Sequence, residues 1–143
     1  MATITAANST FSISVAGLFP VPQLLDGYAV DDAFTAETVS NVETLIGVDG
    51  KKSAGFVFSL FPLSITLQAD SPSNLLFETI AAQQIANKEV FTLTGVIIIP
   101  GISRTFALVN GSLKTNSPFP AVKRTLQSRV WSTDWQSILG API

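Results

Sequence analysis

The chain has 143 residues, 47% of them hydrophobic and only 13% charged, with a net charge of −2 and neither cysteine nor histidine. Mean hydropathy is +0.44, too apolar for a disordered chain, while the apolar runs fall far below the roughly 20 residues that cross a bilayer. The missing side chains exclude disulfide frameworks, thiolate zinc sites, cysteine nucleophiles, histidine-based triads and imidazole-bound metals.

Phe11, Ile13 and Val15 alternate with Ser12, Ser14 and Ala16, the period of a half-buried strand, and Gly17 ends it. Residues 19–28 hold Pro20, Pro22 and Gly27 and read as a connecting loop. Residues 33–46 read as an extended strand with a bulge near Asn41. Asp49-Gly50 is the strongest hairpin signal, because glycine accepts the positive φ of a tight turn. After it, Phe56, Phe58 and Leu60 fall on one side of a strand, and Leu63, Ile65 and Leu67 resume the alternation after a shift at Pro62.

Residues 73–87 contain no glycine and follow Pro72, with Ser71 or Ser73 as N-cap. Leu76, Ile80 and Gln83 or Gln84 share a face, beside Phe77, Ala81 and Ile85, so a helix is expected here. Residues 90–99 and 102–113 read as a hairpin turning at Pro100-Gly101, residues 115–120 as a loop, and residues 122–135 as a last alternating strand. The fold class expected is mainly β: a two-sheet barrel or sandwich flanked by one helix, in a single domain over residues 1–143.

No cluster of residues announces chemistry. Asp31-Asp32 and Asp49-Gly50 lack the ligand spacing of a calcium loop, and no phosphate-cradling glycine loop precedes the helix. A carboxylate-dependent hydrolase would need a pair drawn from Asp26, Asp32, Glu37, Glu43 and Glu78, and nothing singles one out. No catalytic, metal or cofactor residue is therefore assigned, and the chain is expected not to be an enzyme. Met1 is followed by Ala, Thr and Asn with no basic segment before an apolar core, so an intracellular product without membrane insertion is expected.

Charge is split along the chain. Residues 1–71 carry seven acids against two lysines, −5, and residues 72–143 carry six basic residues against three acids, +3. Opposite patches on one protomer would favour head-to-tail association. Equally, the halves interleave in a folded domain and the split then carries no meaning. The apolar surplus points the same way as the first reading, to surface buried in partners.

Several segments in order resemble the tail tube proteins of tailed bacteriophages. They are Val48-Asp49-Gly50, then Lys52-Ser53-Ala54-Gly55 with a strand ending in Leu67, then Asp70-Ser71-Pro72-Ser73-Asn74 opening a helix. The stretch Arg124-Thr125-Leu126 to Val130-Trp131-Ser132 resembles that family's last strand, and the likeness spans roughly residues 24–138. The resemblance implies a barrel shared with the tube protein of type VI secretion. It further implies homohexameric rings stacked into a conduit around a tape-measure protein, with sheath and baseplate proteins as further partners, in the contractile tail of a virion assembled in the host cytoplasm. Double-stranded DNA would pass without sequence recognition.

On this sequence the resemblance places the stacking hairpin at residues 34–58, with Asp49, Gly50, Lys51 and Lys52 facing the next ring. Phe56, Phe58, Trp131 and Trp135 are expected at subunit interfaces, although the two tryptophans also suit a core. Thr92, Thr94, Thr105, Ser128 and Ser132 are expected to line the lumen, where a strongly basic wall would hold DNA back. Ordinary surface positions would suit them as well. The alternatives from other classes are a baseplate or capsid decoration protein and the carboxylate hydrolase.

Overall fold

A computed structural model describes residue 4, residues 6–26, residue 28 and residues 33–143. Among these residues nine strands and one α-helix follow in order: β1 Thr10–Val15, β2 Phe19–Leu24, β3 Phe34–Ala36, β4 Val42–Ile46, β5 Lys52–Phe56, β6 Phe61–Leu67, α1 Asn74–Asn87, β7 Leu93–Ile99, β8 Arg104–Leu113 and β9 Arg129–Pro142. Seven strands form one sheet in the order β2-β1-β7-β8-β9-β6-β3, and β4 and β5 form a second, two-stranded sheet. Each recorded pairing is antiparallel. The mainly β class with two sheets and one helix is as the sequence indicates.

Alternation decides which face of the large sheet is buried. Phe11, Ile13 and Val15 on β1, Leu63, Ile65 and Leu67 on β6, and Trp131, Thr133 and Trp135 on β9 all point inward and are buried. The helix lies on that inner face and contributes Leu76, Phe77, Ile80 and Ala81, while Ile85, expected beside them, is exposed. Phe77 stacks on Trp131 at 5.3 Å, and the indole Nε1 of Trp131 donates to Oδ1 of Asn74 at 3.1 Å. The large sheet curls until its flanks meet through side chains: Phe11 of β1 packs edge-on against Phe34 of β3 at 5.4 Å, and Tyr28 packs on Phe34. No strand pairing joins β2 to β3 among the described residues, so the sheet curls without closing as a hydrogen-bonded barrel.

Four readings of the sequence change. Residues 19–24, expected as loop, form the edge strand β2; Pro20 and Pro22 fit there because an outer edge needs no N–H for the ladder. The strand expected over residues 33–46 is broken at residues 37–41 into β3 and β4, which enter different sheets. The strand expected through Pro62 is likewise broken at residues 57–60, between β5 and β6. Finally, the last strand starts at Arg129 and continues to Pro142, well past Trp135.

The N-cap expectation is also altered. Ser73 precedes the helix, but its Oγ accepts from the backbone N–H of Asp26 at 2.9 Å instead of capping the helix. Ser71 Oγ donates to the Asp26 carbonyl at 2.6 Å. Both serines thus tie the end of β2 to the start of α1, which fixes the helix over the core.

Arg129 is the one charged side chain among the described buried residues. It is paired with Glu78 of α1, donates to the Ser117 carbonyl, and lies 4.9 Å from the ring centroid of Trp131. A buried charge of this kind persists only when paired and hydrogen-bonded, so Arg129 holds both the helix and the loop before β9.

Gly111 on β8 makes room for Trp135: a Cβ there would stand 2.3 Å from the indole. Gly111→Ala should lower unfolding free energy by about 1–3 kcal/mol in denaturant melts, the cost of overpacking. Gly55→Ala, with nothing within 4 Å, should change it by less than about 0.5 kcal/mol.

Tyr28 is the single tyrosine. Burial, reinforced by the Asp26 charge, pushes its hydroxyl up to about 12. The neutral form is the one the fold favours, so this contribution is complete below an unfolded-state value of about 10. It is lost as pH rises through about 12. An absorbance titration should place tyrosinate formation near 12 in the native protein and near about 10 in denaturant.

Candidate functional site: an exposed arm and an open sheet face

The sequence of β4 and β5 dictates an arm that its own subunit does not cover. Val42 pairs with Phe56, Thr44 with Ala54 and Ile46 with Lys52, and every residue of both strands is exposed. The turn between them is tight. Gly47 N–H donates to the Lys51 carbonyl at 2.8 Å, Gly50 N–H to the Gly47 carbonyl at 2.9 Å, and Lys51 N–H to Asp49 Oδ1 at 3.1 Å. Gly50 has φ +82°, a conformation glycine reaches without strain. Asp49, Gly50, Lys51 and Lys52 therefore stand together at the tip, as the hairpin signal indicates.

Large apolar side chains line the arm and its neck. Leu45, Ile46, Phe56 and Phe58 are 69%, 76%, 67% and 91% exposed. The rings of Phe56 and Phe58 meet edge to face at 5.1 Å. A patch of this kind on a surface of low charge is the signature of an interaction site.

The four residues expected at subunit interfaces thus divide. Phe56 and Phe58 are free to meet a partner, whereas Trp131 and Trp135 are 0% exposed and belong to the core of one subunit. The structural reason is parity: Arg129, Trp131, Thr133 and Trp135 share the inner face of β9. Trp135 Nε1 donates to Thr133 Oγ1 at 2.8 Å, and Thr133 Oγ1 donates to the Leu63 carbonyl at 3.1 Å.

The second surface is the outer face of the large sheet. Thr94, Val96 and Ile98 on β7, Thr105, Ala107 and Val109 on β8, and Ser12 and Ser14 on β1 alternate with buried or core-packed neighbours. No charged side chain occurs among them, and on the same side of β9 Asp134 is paired with Lys114 at 3.7 Å. Of the residues expected in a lumen, Thr94, Thr105 and Ser132 lie on this outer side, and Thr105 Oγ1 donates to the Ile97 carbonyl at 3.3 Å. Thr92 and Ser128, expected on strands, fall in the loops just before β7 and β9.

Among the described residues no group of three or more acidic, cysteine or histidine side chains gathers to hold a metal. Asp31-Asp32 lies outside the described residues. The described clefts each hold at most one carboxylate: Asp70 in a cleft of about 660 Å³ against Arg124, Asp26 in one of about 380 Å³ between β2 and α1, and Glu43 on the arm. The paired carboxylates of a glycoside hydrolase are not brought together in any of them.

Residues 2–139 match the protein family described as tail fiber protein gp32. No curated protein matches the sequence. Among solved structures, a chain of the cryo-EM structure of the anti-feeding prophage baseplate is similar with a TM-score of 0.59 and 12% identity, over 99% of this chain and 98% of that one. A chain of the sheath-tube complex of the PVC extracellular contractile injection system, in its extended state, gives a TM-score of 0.60 at 12% identity, over 93% of this chain and 88% of that one. A chain of the anti-feeding prophage cap, which terminates the tube, gives 0.53 at 13% identity with the same two coverages of 93% and 88%. At these identities the likeness is one of fold.

The division of the aromatic residues is measurable in the isolated subunit. Phe56→Ala and Phe58→Ala should each shift unfolding free energy by less than about 1 kcal/mol. Trp131→Ala should cost about 3–5 kcal/mol, read as a shifted denaturation midpoint.

Proposed function

The chain belongs to the tail fiber protein gp32 family, and from that premise we propose that it is the tube-forming subunit of a contractile tail. As a structural component of a phage-type tail, it would form hexameric rings that stack into a hollow conduit around a tape-measure protein. Sheath and baseplate proteins would lie outside, and double-stranded DNA would pass through the centre. Its place would be the virion tail, after assembly in the host cytoplasm, and its role structural, with no cofactor.

The observation that carries this reading is the arm, which stands clear of its own subunit with Phe56 and Phe58 uncovered. The whole-length likeness of fold to chains of baseplate, sheath-tube and cap assemblies supports it. In this arrangement Asp49, Gly50, Lys51 and Lys52 meet the next ring. Phe56 and Phe58 lie between subunits, and the tryptophans stay in the core. The outer face, with Thr94, Thr105 and Ser132, and with Asp134 paired to Lys114, would suit a lumen. A duplex carries one negative charge per about 1.7 Å of axis, and a wall that is not strongly basic would let it slide.

A second reading is a baseplate component, favoured by the family's tail fiber description and by the likeness to a chain of the anti-feeding prophage baseplate. Negative-stain microscopy of the purified protein separates the two. Rings and tubes of constant width are expected for a tube subunit, and only monomers or small oligomers for the alternative. Charge reversal by Lys51→Glu with Lys52→Glu should leave the melting midpoint in place and weaken stacking. Normal tubes from that variant would remove the tip from the ring-to-ring contact.

A further inference from the structure

β9 is flanked by strands on both sides only from Thr133 to Trp135. Its ladder with β8 extends from Thr133 to Pro142, opposite Leu113 to Arg104. Its ladder with β6 stops where Phe61 meets Trp135. Among the described residues, 136–142 therefore present an edge with no strand beside it, and Leu139 within it is 66% exposed. Free edges are ordinarily blunted by charge, proline, a bulge or cover. This one carries no charged residue, and its single proline is Pro142 at the far end.

The chain offers few strands to fill that edge. β2 has Pro20 and Pro22, and β3 has three residues. β4 and β5 have five residues each, no proline, and, among the described residues, no neighbour on their outer sides. The register itself indicates which of them fits. Extending the β6–β9 register backward from Phe61 and Trp135 would set Val57 against Leu139 and Gly55 against Ala141. That is the place β5 would occupy were it continuous with β6. The neck leads it elsewhere: Val57 N–H donates to the Asn41 carbonyl at 2.8 Å and Ser59 Oγ to the Ser40 carbonyl at 3.1 Å, which keeps the chain's own β5 paired with β4.

We propose that residues 136–142 of β9 receive the β5 strand of a second copy's arm, which adds antiparallel to the large sheet in the place this subunit's own β5 vacates. The proposal rests on the reading of the chain as a self-assembling subunit and names the surface that accepts the arm. Strand addition supplies main-chain hydrogen bonds, and alternate side chains supply specificity. It brings Phe56 and Phe58 of one copy beside Ile138 and Leu139 of the next. Arm and edge are different surfaces of one protomer, so the contact is heterologous and passes from copy to copy, closing as a ring or continuing as a stack.

The absence of cysteine makes the register testable by disulfide mapping. Opposed Cα atoms of an antiparallel pair stand about 4.5–5.5 Å apart, inside the roughly 4.4–6.8 Å that a disulfide spans. Gly55→Cys and Ala141→Cys chains, mixed and oxidised, should give a covalent dimer that neither variant gives alone. Val57→Cys with Leu139→Cys should do the same. An internal disulfide in the monomeric Gly55→Cys/Ala141→Cys double variant would overturn the proposal, because the chain's own arm would then fill the edge. Dimers formed equally by the single variants would also overturn it. Rings or tubes without either cross-link would overturn this assignment and leave the tube reading standing, whereas neither assembly nor cross-link would overturn both.

Discussion

A strand edge carries N–H and C=O groups that must be paired, covered or turned away, and this chain meets that demand unevenly. At one flank of the large sheet, β2 is blunted by Pro20 and Pro22. At the other, β3 is cut to three residues, and Tyr28 forms an isolated bridge to Leu67 on the same side of β6. The two flanks then meet through Phe11, Phe34 and Tyr28. What the body leaves open is concentrated at one place, where residues 136–142 outrun β6 and the arm departs from it. A two-stranded ladder is marginal in water by itself, so the arm and the bare edge pose complementary problems.

The interior has no room to resolve either of them. Trp131 and Trp135 fill the inner face of β9, and the second fits only because Gly111 opposite has no side chain. Arg129 completes the node by meeting Glu78 from the helix and the Ser117 carbonyl from the loop. Since burying such a charge is tolerated only with these partners in place, helix, loop and strand are fixed together. The apolar residues that remain on the outside are therefore surplus that one subunit has no core to accept. This is the physical content of a 47% hydrophobic chain with 13% charge.

Much of this was legible in the residue pattern, and the failures have a common cause. Strict alternation marked β1 and β6, the glycine-free stretch after Pro72 marked α1, and Asp49-Gly50 marked the arm's tip. Periodicity reports a face without reporting what covers it, so Trp131 and Trp135 read equally as interface or core until Asn74 and Gly111 were placed against them. Proline misled at β2, because Pro20 and Pro22 argue against a strand only where both edges are paired. The breaks at residues 37–41 and 57–60 carry no glycine, and their one proline-side signal, Pro62, lies past the second break. Nothing local announced that β4 and β5 leave the sheet. The end of β9 was missed because residues 136–142 lack the polar alternation of a half-solvated strand.

The charge split has to be weighed against the strand order. The acid-rich first half supplies β1, β2, β3 and β6, and the basic second half supplies β7, β8 and β9. In the order β2-β1-β7-β8-β9-β6-β3 the second half forms the middle and the first half both flanks. The flank strands themselves carry no charged residue, so the two signs do not separate into opposite patches of the sheet. Nor does the arm supply the missing sign, since Glu43 and Asp49 offset Lys51 and Lys52 along it. In the proposed assembly, contact between copies would then draw chiefly on apolar burial and main-chain pairing. Charge is left to adjust contact at the tip, where Lys51 and Lys52 are adjacent and Asp49 is engaged by the Lys51 N–H.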